Sequence, residues 1–303
     1  MSETTNTTRL LANLTTEQVD PRYARIDQLP VSELAALMNE ADQTVPLAVR
    51  EALPQIVPAI EAVSAAMERG GRLIYVGAGT PGRLAVVDAS ECPPTFGTPP
   101  ELVQALIAGG PDAIIRAHEG AEDDAQAGSD AIDRLEVGPD DSVVGIASSG
   151  RTPYVVGAVT RAAQCGAVTA GISCNRDTEL SAAAAHGIEV EVGPEVIAGS
   201  TRLKAGTAQK LVLNMFSTIA MIRLGKTYGP FMVDLRVSNA KLRARAERIV
   251  STVADVDLTT AARTLDRIDD VRIAILVLRL GLTEEEARAR LAATGGRLRE
   301  ALD

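Results

Sequence analysis

The sequence predicts an α/β protein built on a mostly parallel sheet with helices on both faces. Short apolar runs at residues 72–76, 101–107, 142–147, 167–172 and 187–192 alternate with helical or mixed stretches, the order that right-handed crossovers between parallel strands produce. Two of these runs end in Gly/Ser-rich turns, Gly77-Ala78-Gly79-Thr80 and Ser148-Ser149-Gly150-Arg151-Thr152-Pro153. In open parallel sheets, ligands collect at the carboxyl ends of the strands. The chain has 303 residues and 46% hydrophobic content, enough for a large core.

The elements follow in order. Residues 15–42 read as an extended arm followed by a short helix from Val31. Residues 46–69 place Val49, Leu53, Ile56 and Ile60 at helical spacing, with Pro54 and Pro58 expected to kink or split the helix. The first strand then stops in a glycine turn that opens a helix, an arrangement that offers unpaired backbone N–H groups to an anion. The second turn ends in Thr152-Pro153, a cap followed by a first helical residue, so it aims N–H groups and hydroxyls at one point. Either turn alone is also an ordinary strand-to-helix connection; two at one sheet edge favour a cradle.

A third candidate cradle is Gly199-Ser200-Thr201-Arg202-Leu203-Lys204-Ala205-Gly206, where Ser200 or Thr201 caps a helix running to about Leu224. Its apolar residues recur all around, so it is expected to be buried against the sheet or a subunit partner. The chain turns through Tyr228-Gly229-Pro230. From about Val250 it forms short amphipathic helices at 258–265, 271–279 and 283–292, and Gly295-Gly296 breaks it before a last helix. Thr283 and Glu286 match a capping box. The expected organisation is an arm and helix over 1–45, a sheet domain over 46–245 and a small helical domain over 250–303 in which nothing looks catalytic.

Composition excludes several functions. A net charge of −10 and a pI near 4.9 oppose nucleic-acid binding, whose dominant electrostatic contribution would be repulsive. With no Trp, three Phe and four Tyr, few rings exist to stack on bases or sugars. Cys92, Cys165 and Cys174 show no metal-ligand spacing, and only His118 and His186 supply imidazoles, so no metal is expected. Residues 1–16 contain no apolar signal core, and the longest apolar run, 211–224, is broken by Asn214, Ser217 and Thr218. A cytoplasmic protein that stays off membranes is expected.

The chemistry-bearing residues are acidic. Glu91 is expected at the end of the helix opened by the glycine turn, about three turns from it, in front of Pro93 and Pro94. There the macrodipole disfavours the charged form, which suits a proton donor; a loop carboxylate in water is the other reading. Glu119 and Glu122 sit in an acidic turn entering a helix, where dipole partners are ordinary, and one of them is a candidate second carboxylate. His118 and His186 read as packed or capping imidazoles. Arg83, on the first turn after the glycines, reaches either a phosphate or Asp88.

Several strings carry a family resemblance. Gly77-Ala-Gly-Thr80, Gly82-Arg-Leu-Ala and Asp88-Ala-Ser-Glu91-Cys-Pro-Pro-Thr-Phe resemble the N-acetylmuramic acid 6-phosphate etherases. So do Glu119-Gly-Ala-Glu122-Asp, Ser149-Gly-Arg-Thr-Pro-Tyr154 and Lys204-Ala-Gly-Thr-Ala-Gln-Lys-Leu-Val-Leu-Asn-Met215. The similarity runs from the Thr16-Glu17 arm to the C-terminal helices. It implies a three-layer sugar isomerase (SIS) fold with a flavodoxin-like parallel sheet, a small UBA-like helical domain at the C-terminus, a homodimer and no metal or organic cofactor.

The resemblance further implies cleavage of the lactyl ether of N-acetylmuramate 6-phosphate, with Glu91 as proton donor and Glu122 as second catalytic glutamate. Phosphate contacts are expected from Gly79, Thr80, Gly82, Arg83, Ser148, Ser149 and Thr152, with Ser200, Thr201 and Lys204 also in reach. Pro81 departs from the family, which usually has Ser there, and so removes a hydroxyl and one backbone donor. Two alternatives share the fold. One is a non-catalytic sugar-phosphate sensor similar to the glucokinase regulatory protein, which carries two such modules where this chain has one. The other is an aldose-ketose sugar-phosphate isomerase.

Overall fold

The computed structural model describes residues 14–235, 237 and 239–303; residues 1–13 of the expected arm lie outside them. The chain divides into two compact units, Met1–Ala89 with Glu101–Ser217, and Ser90–Pro100 with Thr218–Asp303.

The first unit begins with short 3-10 turns over Thr15–Glu17, Pro21–Tyr23 and Ile26–Gln28, then helices α1 (Val31–Asp42), α2 (Val45–Glu51) and α3 (Leu53–Glu68). The helical stretch expected over 46–69, with its prolines expected to kink or split it, is split at Ala52. Pro54 takes up one of the first positions of α3, where a missing N–H costs nothing, while Pro58 is carried inside it. Strand β1 (Leu73–Gly77) leads into helix α4 (Gly79–Phe96), and then come β2 (Val103–Ile107) and α5 (Ala125–Arg134). After β3 (Ser142–Ile146) the chain forms α6 (Pro153–Gln164), β4 (Val168–Ser173), α7 (Glu179–Ala183), β5 (His186–Glu189) and α8 (Lys204–Arg223).

All five strands are parallel, in the order β2-β1-β3-β4-β5. Every residue of β1 and β3 is buried, as strands covered on both faces require. Ile74 and Val76 join one apolar cluster with Ile132 of α5 and Val155 and Val159 of α6. Tyr75, between them, faces the other side, where its hydroxyl donates to Asp88 of α4 and to the Leu213 carbonyl of α8. The alternation of a strand's side chains thus gives each helix layer its own face.

Helix α4 does not end at Glu91. It continues through Pro93 and Pro94 to Phe96; each proline ring keeps a helical φ but loses the bond to the carbonyl four residues back and crowds it. Gly97, at φ +65°, ends it by donating its N–H to Pro93 O at 3.0 Å. Glu91 therefore occupies the helix interior, and the expectation that it faces the negative end of the dipole is corrected.

The second unit contains a two-stranded hairpin, β6 (Thr227–Tyr228) and β7 (Phe231–Met232), and five helices: α9 (Ala240–Ala254), α10 (Leu258–Leu265), α11 (Val271–Leu280), α12 (Glu284–Ala293) and α13 (Leu298–Leu302). The expected capping box is present at Thr283 and Glu286. Helix α9 was not expected. Its signal was an Asn239 cap accepting from Leu242 N, followed by Ala246, Ile249, Val250 and Val253 on one face. Those residues pack with Leu265, Ile275, Leu276 and Leu291 in a core of the unit's own. No described helix is long and apolar enough to cross a membrane.

Candidate active site

In the first unit the chain moves outward from β1 to β2 on one side and from β3 to β4 and β5 on the other. The crevice of such a sheet opens where the winding reverses, at the carboxyl ends of β1 and β3. Gly77 and Ile146, the last residues of these two strands, are register partners. Both Gly/Ser turns singled out in the sequence therefore start side by side.

The first turn is built by close backbone approach. A Cβ on Gly77 would lie 2.6 Å from Gly82 N, and one on Gly82 would lie 2.7 Å from Ile107 Cγ1. Only glycine at both positions lets the helix start this close to the strand end. Gly79, at φ +56°, makes the turn itself. Gly79, Thr80 and Pro81 form the first turn of α4, where amides have no partner within the helix.

The second turn is fixed from behind by the segment that follows β4 and by α8. The Ser148 carbonyl accepts from Cys174 N at 3.0 Å and from Asn175 Nδ2 at 2.9 Å. The Ser148 hydroxyl oxygen accepts from Gln209 Nε2 at 2.9 Å. Ser149 Oγ accepts from Arg151 N, and the Gly150 carbonyl from Leu180 N. Thr152 stands at the cap position of α6, but its side chain makes no capping bond. Asn175 also ties in the arm. Its Oδ1 accepts from Thr15 Oγ1 at 2.9 Å and its Nδ2 donates to Thr16 Oγ1 at 3.1 Å, while Gly199 N donates to Thr16 O. Burial pushes the Cys174 thiol up to about 12, with Glu195 adding to the effect, so it stays protonated.

The third candidate cradle is already filled by a protein carboxylate. Glu195, 1% exposed, accepts the Lys204 amide through Oε2 and the Ala205 amide through Oε1, each at 2.9 Å. Lys204, expected within reach of phosphate, is buried and donates from Nζ to the Val192 carbonyl at 2.5 Å. Burial lowers its pKa against the opposing pull of Glu195. Ser200 and Thr201 are half-buried at the approach to α8. Gly206 of α8 lies against Thr80, whose Cγ2 is 3.6 Å from where a Cβ would stand, so the first turn and the α8 helix are neighbours.

Arg83 does not pair with Asp88. Its Nε and Nη2 donate to the carbonyls of Ile114 and Ala113 at 2.9 and 2.8 Å, holding the turn after β2. Asp88 is instead buried and accepts from Tyr75 at 2.9 Å, Asn214 at 2.6 Å and Ser217 at 3.1 Å. Burial raises its pKa even against these three donors. Glu122 is exposed on the 3-10 turn Ala121–Asp123, with Asp124 capping α5 through Ala127 N. Glu119 and His118 are exposed beside it. Glu91 is exposed on α4, in the segment 90–100 that groups with the second unit.

Sequence reasoning missed Asp88 as a clamp, Glu195 as an internal cap, and Asn175 and Gln209 as supports of Ser148. Glu195 reaches across nine residues and the others across still longer stretches of chain, where helix or strand spacing carries no signal.

A family model described as the glucokinase regulatory protein N-terminal SIS domain matches residues 55–163. An N-acetylmuramic acid 6-phosphate etherase of Streptomyces coelicolor is 58% identical over 96% of this chain and 94% of its own length. One of Rubrobacter xylanophilus is 54% identical over 96% of this chain and 97% of its own. Among solved structures, a phosphoheptose isomerase from Francisella tularensis superposes with a TM-score of 0.51 at 20% identity, covering 64% of this chain and all of that one. It shares the fold of the parallel-sheet unit.

Proposed function

The chain belongs to the N-acetylmuramic acid 6-phosphate etherase family, and on that premise we propose that it cleaves the D-lactyl ether of N-acetylmuramate 6-phosphate. The products are N-acetylglucosamine 6-phosphate and D-lactate, a step in the recycling of cell-wall sugars. The observation that carries this reading is the 58% identity to an etherase across nearly the whole of both chains, with the Asp88-Ala-Ser-Glu91-Cys-Pro-Pro string intact.

The chemistry asks for two carboxylates. With the sugar ring open, the proton on the carbon beside the aldehyde is acidic, and one carboxylate removes it. The bond from the neighbouring carbon to the lactate oxygen breaks, that oxygen takes a proton from the other carboxylate, and a carbon–carbon double bond forms. Water then adds back across the double bond. Glu91 is assigned the donation to lactate and the activation of water, and Glu122 the removal of the carbon-bound proton. Both are supported by their positions in the family strings and by their exposure.

The phosphate is assigned to the two turns at the sheet's switch point: the amides of Gly79 and Thr80, and the hydroxyls of Thr80, Ser148, Ser149 and Thr152, with Ser200 and Thr201 beside them. Lys204 and Arg83 support the walls instead, and the Gly82 amide is turned to the Ala78 carbonyl. No cofactor is assigned. A cytoplasmic homodimer is supported by the acidic charge, by three free cysteines and by Ile219 and Ile222, exposed on α8.

The match of residues 55–163 to a regulatory protein's domain favours a second reading, a sugar-phosphate sensor. That match contains the two turns, which a sensor and an enzyme have equal use for. Purified protein given N-acetylmuramate 6-phosphate is expected to release D-lactate, measured with a coupled dehydrogenase. Sugar-phosphate binding without lactate would instead establish the sensor.

A further inference from the structure

Gln209 lies in the second turn of α8 and is fully buried. Its Nε2 donates to Ser148 Oγ at 2.9 Å, and its Oε1 has no hydrogen-bond partner among the described residues. We propose that Gln209 is the positioning residue of the phosphate cradle: by donating to Ser148 it turns the serine's hydroxyl proton outward and makes Ser148 a donor to the substrate phosphate. The inference rests on the reading of the two turns as a sugar-phosphate site.

A hydroxyl carries one proton and two acceptor lone pairs. Gln209 fills one lone pair, so the proton cannot also point at Gln209. The Ser148 carbonyl takes Cys174 N and Asn175 Nδ2, and Asn175 Oδ1 takes Thr15 Oγ1. Ser148 Oγ itself donates to no described residue, and its proton is left for an acceptor arriving at the carboxyl end of β3. A hydrogen bond to an ionised acceptor is about twice as strong as a neutral one, so a serine polarised this way selects for an anion.

The setting of Gln209 supports the same role. Ala205, Ala208, Val212 and Leu213 around it on α8 are all buried and apolar. A leucine or methionine would fill that place without leaving a buried oxygen unbonded, a defect that native proteins carry rarely and at a cost. What the carboxamide does in return is hold Ser148. The Ser148 backbone is pinned by Cys174 and Asn175 and its side chain by α8, so the hydroxyl needs no reorganisation when phosphate arrives.

Two variants test this. Gln209→Glu keeps the shape; in its ionised form it can only accept, so at a pH high enough to ionise it the variant draws the serine proton to itself and places a charge beside the cradle. Gln209→Met removes both polar atoms. Affinity for inorganic phosphate, measured by calorimetry, is expected to fall about tenfold or more in Gln209→Met and further in Gln209→Glu. KM for N-acetylmuramate 6-phosphate should rise in parallel while kcat stays within about threefold. In a Ser148→Ala background Gln209→Met should add little, because the residue acts through the serine.

Unchanged phosphate affinity, or fully additive losses in the double variant, would overturn the proposal. If Gln209→Met does not fold, Gln209→Glu with thermal unfolding as control still decides it. Phosphate binding needs no turnover. A wild-type protein that binds phosphate but releases no lactate overturns the etherase reading alone, and an active wild type whose variants bind phosphate normally overturns this inference alone.

Discussion

The Glu195 carboxylate accepts the backbone amide of Lys204 at 2.9 Å, and so the N-terminus of α8 is closed by a side chain of the same unit. The helix start that looked like a third anion cradle is thereby a structural cap. Glu195→Ala leaves the Lys204 and Ala205 amides and the buried Lys204 ammonium without their counter-charge, and should cost about 1–3 kcal/mol. Glu195→Gln, which keeps one acceptor, should cost less. Urea unfolding checks this, and equal midpoints for wild type and Glu195→Ala would show that the cap contributes nothing.

Asp88 makes the stability of the first unit pH-dependent. Its folded-state pKa is raised above the ordinary 3.8, chiefly by burial, so folding prefers the protonated form. The contribution is fully present below 3.8 and is lost as pH rises through the raised folded-state value. Asp88→Asn cannot ionise, keeps an acceptor for Asn214 and Ser217, and should gain on the wild type as pH rises through that window. Asp88→Ala removes the shared acceptor of Tyr75, Asn214 and Ser217, two of them buried, and should cost about 2–4 kcal/mol. Urea midpoints across a pH series test both, and a pH-independent gap between wild type and Asp88→Asn would sink the argument.

Glu91→Gln and Glu122→Gln remove a proton-transfer group while keeping its shape. Each is expected to lower kcat for lactate release by about 10²–10⁴-fold with little change in KM. Full turnover in either variant means that the corresponding role belongs to another residue.

Pro81→Ser restores a hydroxyl and a backbone N–H in the first turn of α4. A single added bond to an ionised phosphate should tighten KM for the 6-phosphate about tenfold. The substitution also frees the unfolded chain, so thermal stability should fall by about 0.4–1 kcal/mol. Steady-state kinetics together with thermal unfolding read both effects, and an unchanged KM would mean that this position does not face the phosphate.

Much of this molecule was legible in its sequence. The five strands, the two turns at their ends and the capping box at Thr283 depend on local alternation, glycine φ freedom and side chain to near-neighbour amide bonds, all of which act over a few residues. The Asp88-Ala-Ser-Glu91-Cys-Pro-Pro string likewise marks the family without any knowledge of contacts. Helix α9 escaped notice because its apolar stripe is narrow and heavily interrupted by arginine, and its burial comes from partners such as Leu276 and Leu291 in later helices.

What only tertiary structure decided is which polar groups are already satisfied. Lys204, Arg83 and the α8 amides resembled phosphate ligands by type and spacing. Folding brought Glu195 and the carbonyls of Val192, Ala113 and Ile114 against them. It also brought Gln209 to Ser148 across 61 positions and Asn214 to Asp88 across 126. A hydrogen bond spent inside the protein is unavailable to a substrate, and long-range packing alone determines where it is spent. The sequence determined the sheet, its turns and the family; the tertiary contacts determined which turn residues are already hydrogen-bonded within the protein.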